Sequence, residues 1–322
     1  MVRELTHGWS TVQIPMRLVC YQGVAGPTVG VVVDGSIVDL NACAERAGGG
    51  PYAMSPQFRD VADVFRAAAM LQRLGARQSD GMRGAQQLVE RLLETPGVAV
   101  PPDVARLTPV LTPEKVIGVG LNFHSYVEQI GVSTPLHPVL FHKTASALLA
   151  CGQPVVIPPS TNKAVVEGEL AVVIGRRARS VSEADALDYV AGFTCANDIS
   201  ARDLEFQTSQ LTPGKMIETF CPLGPELVTP DECGAIEALY LTTTINGVEV
   251  QHSQMNGHIF NVSALISRVS QLVGLEIGDV ILTGTPNDLG HGDNPTFLRD
   301  GDVVAIEIPG VGRLENSVQD AS

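Results

Sequence analysis

The sequence predicts an α+β protein rich in strands, with a small N-terminal α+β domain ahead of a larger C-terminal β-rich roll or sandwich. Three observations carry this expectation. Short apolar runs bounded by glycine, proline or Asn-Gly recur along most of the chain. Helical periodicity is confined to a few segments. Gly118-x-Gly120 lacks both the third glycine and the long following helix of a dinucleotide-binding turn, and many strands with few long helices argue against a doubly wound parallel sheet.

Residues 1–15 read as an extension. Met16 opens MRLVCYQG, and TVGVVVDG and SIVDL follow across glycine turns, the pattern of a strand meander. Val61, Val64, Phe65, Ala68 and Leu71 fall at helical spacing within 57–74, and Leu88, Leu92 and Leu93 mark a second helix that ends before Pro96. Pro101, Pro102, Pro109 and Pro113 then punctuate the chain, dividing it into domains 16–112 and 113–322. The second region carries the runs KVIGVG, HPVLFHK, PVVIP, AVVEGELAVVIG, DYVAGFTCAND, LYLTTTING, DVILTGT and DVVAIEI, with Asn246-Gly247 signalling a hairpin. Short helical patterns interrupt it at 182–187, 201–207 and 262–272.

Composition excludes several function classes. Asp and Glu outnumber Lys and Arg by 35 to 21, a net charge of −14 that repels phosphate backbones and anionic lipid, so neither nucleic acid nor a membrane surface is the expected partner. Uncharged stretches such as 144–162 are broken by Gly152, Pro154, Pro158 and Pro159 and do not read as bilayer spans. The first 15 residues lack an apolar core of the secretory kind, and the six scattered cysteines form no Cys-x-x-Cys pair, so a cytoplasmic protein with reduced thiols is expected.

The chemistry gathers in VVEGELAVVIG. Strand side chains alternate with period two, so Glu167 and Glu169 project from one face, among Val165, Ala171 and Val173. Two carboxylates on an apolar face repel each other unless a cation lies between them. Asp198, closing AGFTCAND, supplies a third oxygen ligand, and three carboxylates suit Mg²⁺ or Mn²⁺ better than zinc.

The runs VIGVGLNF, LFHKTASAL, VEGELAVVIG, YVAGFTCANDISARD, FCPLGPELV, ING and GDVILTGTP, followed by GDVVAIEI, together resemble the fumarylacetoacetate hydrolase family across about 200 residues, from Val116 to Asn316. The resemblance implies the mixed β-sandwich roll of that family, a homodimer, and a metal held by Glu167, Glu169 and Asp198. It also implies substrates that are 2-oxo or 1,3-dicarbonyl acids, acylpyruvate-like molecules that chelate the ion. Cleavage, decarboxylation and tautomerisation of such acids pass through an enolate, whose charge a divalent ion stabilises as a Lewis acid. By the same resemblance Lys143, Arg202 and Lys215 lie near the substrate, and Thr283, Gly284 and Thr285 lie at the pocket edge.

The family default is hydrolytic carbon-carbon cleavage, served by a His-x-x-Glu pair on a lid after Gly-Leu-Asn-Tyr. Here Tyr126 and Gln129 stand at those positions, and neither is a base at neutral pH. His124 and Glu128, four residues apart, form a displaced dyad if the lid is rotated. The replaced pair favours a tautomerase, isomerase, decarboxylase or cyclase, with a catalytically silent binding protein as the remaining alternative. Glu205 replaces a common glutamine, and His258 and His291 are further polar groups near the expected pocket.

Overall fold

The computed structural model describes residues 16–46, 57–73, 81–95, 99–101 and 104–321, and the expected extension 1–15 lies outside them. The chain opens with the meander β1 (Arg17–Gly23), β2 (Gly26–Val33) and β3 (Ser36–Asp39), helices α1 (Leu40–Arg46), α2 (Val61–Arg73) and α3 (Gly81–Leu93), and β4 (Ala99–Val100). Next come β5 (Val116–Gly120), α4 (His124–Gln129), β6 (Val139–Lys143), β7 (Leu148–Leu149), β8 (Val155–Ile157), β9 (Ala164–Val165), β10 (Gly168–Ile174) and β11 (Val190–Asn197). β12 (Ser200–Ala201), α5 (Arg202–Glu205), α6 (Thr212–Lys215), β13 (Cys221–Val228), α7 (Pro230–Cys233), β14 (Tyr240–Ile245) and β15 (Val248–Gln254) follow. The chain closes with α8 (Val262–Leu272), β16 (Val280–Leu282), β17 (Val303–Ile308) and β18 (Gly312–Asp320).

Two sheets face each other. The larger runs β4-β3-β2-β1-β13-β11-β10-β16-β5-β6 with β7 joined to β13, and the smaller runs β15-β14-β17-β18-β8. Every residue of β10 and β11 is buried, because both faces of the large sheet are covered. Ala171 and Val173 share a core with Phe65 of α2 and Leu88 of α3. Leu170, Val172 and Ile174, on the alternate face, share one with Leu241, Ile306 and Leu314 of the smaller sheet. The expected strand-rich α+β architecture is thus realised as helices, sheet and sheet in three layers.

The meander is not packed apart from the rest. β1 pairs antiparallel with β13, Leu18 opposite Leu227, so the segment 16–112 extends the same sheet as 113–322. One core cluster joins Met16, Leu18 and Phe65 to Val116, Ala171 and Leu223. The hairpin expected at Asn246-Gly247 links β14 to β15, with both residues at positive φ, 53° and 77°, the conformation that this pair tolerates best. Among the described residues no helix is long and apolar enough to cross a membrane.

Candidate active site

β10 and β11 run antiparallel with Gly168 opposite Asn197 and Glu169 opposite Ala196. The Asp198 amide donates to the Glu167 carbonyl at 2.9 Å, carrying the pairing past the ends of both strands. This register brings Glu167, Glu169 and Asp198 together: a carboxylate oxygen from each lies within 4.8 Å of the other two, and all three side chains are buried.

Three cations answer the charge. Lys215 Nζ donates to Glu167 Oε2 at 2.7 Å and to Asp198 Oδ2 at 2.9 Å. Lys143 Nζ donates to Asp198 Oδ1 and, at 3.1 Å, to the Ile199 carbonyl. Arg202 spreads its fork over Glu167 Oε1 at 2.6 Å, Asp288 Oδ1 at 2.8 Å and Glu205 Oε2, and reaches the Tyr126 hydroxyl at 3.2 Å. Among the described residues no lysine or arginine bonds to Glu169, which accepts from the Gly284 amide at 2.7 Å. Burial, and after it Asp198 and Glu167, therefore push the Glu169 carboxyl well above the usual range. Burial likewise raises Glu167. Burial opposes ionisation of Asp198 too, but Lys143 and Lys215 outweigh it and hold that carboxyl below its ordinary value.

The charge count bears on what the site can hold. Five buried carboxylates, those of Glu167, Glu169, Asp198, Glu205 and Asp288, face the three buried cations Lys143, Arg202 and Lys215. With all five carboxyls ionised two negative charges remain, and one divalent ion, whose charge favours that ionisation, balances them. The converging donors are all carboxylate oxygens, the set that suits a hard ion such as Mg²⁺ or Mn²⁺. The residues present fit the group.

A cavity of about 640 Å³ opens over Glu167 and Glu169. Tyr126, Arg202, Glu205, Lys215, Thr285 and His291 reach its wall. Other expected positions fall elsewhere. Lys143 is fully buried beneath Asp198 and is not part of the cavity wall, so it steadies a carboxylate rather than meeting substrate. The Thr283 hydroxyl donates to the Leu170 carbonyl at 2.9 Å, inside the strand layer, which spends it on backbone. On α4, Tyr126 and Val127 are buried while His124 and Glu128 are exposed. A four-residue spacing does place those two on one face, but it is the outer face, and neither lines the cavity. Gln129 is committed to backbone: its amide donates to the Asp288 carbonyl at 3.0 Å and accepts from the Asp288 amide at 2.8 Å. Ser125 Oγ adds a bond to the Pro286 carbonyl at 2.6 Å, so the helix is tied down onto the loop that carries Asp288.

Sequence reasoning missed Asp288 and Gln251. Asp288 stands three residues before His291 in the same glycine-rich loop and fixes the guanidinium of Arg202 through both Nε, at 3.1 Å, and Nη2. Gln251 accepts from the Gly168 amide, between the two glutamates, at 3.0 Å and donates to Thr285 Oγ1 at 2.8 Å, coupling the carboxylate strand to the pocket edge.

His258, expected near the pocket, packs on Phe123 with ring centroids 4.3 Å apart, and its buried Nε2 has no hydrogen-bond partner among the described residues. Burial pushes its pKa down from 6.5 to about 4. The unfolded chain takes up a proton below about pH 6.5 that the fold refuses until about pH 4, so stability falls as pH drops through that window. The cost approaches about 3 kcal/mol at the acid end. His258→Leu is expected to lose acid stability less steeply than the parent between those pH values, by that order, in urea midpoints. Parallel profiles would contradict it.

The family model described as fumarylacetoacetate (FAA) hydrolase C-terminal matches residues 115–319. A mitochondrial oxaloacetate tautomerase of Xenopus laevis is 40% identical over 219 residues, 67% of this chain and 69% of that one. The crystal structure of a 5-carboxymethyl-2-hydroxymuconate delta-isomerase from Mycobacterium smegmatis is similar with a TM-score of 0.69 at 28% identity, covering 95% of this chain and all of the other. A maleylpyruvate hydrolase from Sphingobium sp. SYK-6, solved with manganese(II) and pyruvate, is similar with a TM-score of 0.71 at 27% identity over the same shares.

Proposed function

The chain belongs to the fumarylacetoacetate hydrolase family, and from that premise we propose that it is a divalent-metal-dependent enzyme that enolises a 2-oxo or 1,3-dicarbonyl acid, tautomerising or isomerising it rather than cleaving it with water. One observation carries the choice: the lid helix turns a phenol to the cavity, ties Gln129 to backbone, and keeps His124 and Glu128 on its outer face. No imidazole or carboxylate on that helix faces the cavity to activate a water.

Glu167, Glu169 and Asp198 would hold the ion, which when bound supplies Lewis-acid stabilisation of enolate charge. Lys215, kept cationic by Asp198 and Glu167 against its burial, steadies two of those carboxylates and turns a remaining N–H toward the substrate's developing oxyanion. Glu205 accepts the Arg202 fork at one oxygen, and its other oxygen takes the proton from the carbon between the carbonyls. Burial raises the Tyr126 hydroxyl above its ordinary pKa, so it remains a phenol and acts as a donor. With Arg202 donating to its oxygen, its own proton is free to pass to the substrate.

The test is a ¹H NMR time course in D₂O with a short acylpyruvate and Mg²⁺, against an EDTA control. Expected is EDTA-sensitive deuterium exchange at the central carbon, above the buffer rate, without pyruvate release, and slowed about a hundredfold in Tyr126→Phe. Stoichiometric release of pyruvate at the exchange rate would overturn the reading in favour of hydrolysis.

A further inference from the structure

The cavity is far larger than the head group of a 2-oxo acid requires, and its unexplained part is apolar. Its volume of about 640 Å³ belongs with sites that enclose drug-sized ligands. Beside the carboxylates, Lys215 Nζ stands 4.7 Å from the centroid of the Phe141 ring. That ring packs against Gly118, where an added Cβ would meet Cζ at 2.1 Å, so only glycine leaves room for it. Phe141 pairs with Gly118 and Val139 with Gly120 across β5 and β6, at the edge of the large sheet. A Cβ on Gly120 would lie 3.6 Å from Leu211 Cδ1 and 3.7 Å from Val139 Cγ1, so these side chains close over the glycine as one apolar surface. Leu121 continues the band, and Phe206 and Phe297 also reach the wall.

The cations tell the complementary story. Lys143, Arg202 and Lys215 are buried and each is already paired with carboxylates. On the wall itself Lys163 and His291 are exposed, and Asp203 lines it as well. A second substrate carboxylate laid against the apolar band would be desolvated without a partner.

We propose that the substrate carries an apolar distal group, aryl or branched alkyl, seated on the band of Phe141, Val139, Leu211 and Leu121, and that this surface selects against small dicarboxylic 2-oxo acids. The inference rests on the head-group chemistry proposed above, and its test separates the two. The probes are 4-phenyl-2-oxobutanoate and 2-oxoglutarate, which share a 2-oxo acid head and differ in ending on phenyl or carboxylate. Their affinities for the protein with Mg²⁺ are measured by calorimetry. The phenyl ligand is expected to bind at least about tenfold more tightly. Leu211→Arg is expected to erase or invert that ratio, and Val139→Lys, on a different element, to do the same. Equal or tighter binding of 2-oxoglutarate to the parent protein overturns this inference and leaves the head-group reading standing. Binding of neither ligand overturns the head-group reading and this inference with it. A ratio that survives both substitutions overturns the assignment of the band.

Discussion

Glu169→Gln is expected to make the metal-free protein more stable while removing its response to divalent metal and its turnover. Glu169 is fully buried, and among the described residues it bonds to no lysine or arginine and accepts from the Gly284 amide. Burial and the charges of Asp198 and Glu167 raise its carboxyl well above the usual range. The fold therefore binds a proton there more readily than the unfolded chain does. Stability is lost as pH rises above the unfolded value near 4.5, and the penalty is largest at neutral pH. Glutamine keeps the acceptor for Gly284 and offers amide protons to the neighbouring carboxylates, relieving the repulsion. The variant should melt a few degrees higher than the parent without metal at neutral pH, and this advantage should shrink toward pH 4.5. Saturating Mg²⁺ should stabilise the parent by about 3 kcal/mol at a hundredfold excess over its dissociation constant and leave the variant unmoved. Loss of several kcal/mol of charge stabilisation lowers turnover about a hundredfold or more. Thermal melts with EDTA or Mg²⁺ across pH, alongside NMR turnover, read all three effects. A variant that keeps its metal-induced shift would remove Glu169 from the ligand set.

Arg202→Met is expected to damage stability and activity together. One guanidinium holds Glu167, Glu205, Asp288 and the Tyr126 hydroxyl, all buried. Methionine fills the volume but leaves buried carboxylates without their partner, a loss of about 3–5 kcal/mol. Lysine is no substitute, because a point charge cannot span a fork that reaches four groups. Restoring part of the charge balance by Asp288→Asn should recover some of the stability lost in Arg202→Met, a coupling that urea unfolding of the two single variants and the double variant measures. Additive losses would mean that Asp288 and Arg202 do not share one network.

The carboxylate triad was legible because strand periodicity is strict: Glu167 and Glu169 two apart, and Asp198 at the end of the next long apolar strand, needed only the antiparallel register to meet. The Asn246-Gly247 hairpin and the helix over Val262–Leu272 were legible for the same local reason. Asp288 was not, since it reaches Arg202 from a loop 86 residues away and no periodicity links the two. The union of the meander with the large sheet was hidden likewise, because Leu18 and Leu227 meet across more than 200 residues. The lid lay between these cases. His124 and Glu128 were rightly read as sharing a helix face. Tyr126 and Ile130 already marked the opposite side as the inner one, and both line the cavity.

A divalent ion held by Glu167, Glu169 and Asp198 is central to the proposed chemistry. Its most direct test is Mn²⁺ titration of the metal-free protein followed by loss of the free-ion electron paramagnetic resonance signal, with Mg²⁺ as competitor. One Mn²⁺ bound per chain, displaced by Mg²⁺ and absent in Glu169→Gln, is the expected result. Binding of no ion, or one site per chain that Glu169→Gln leaves intact, would contradict it.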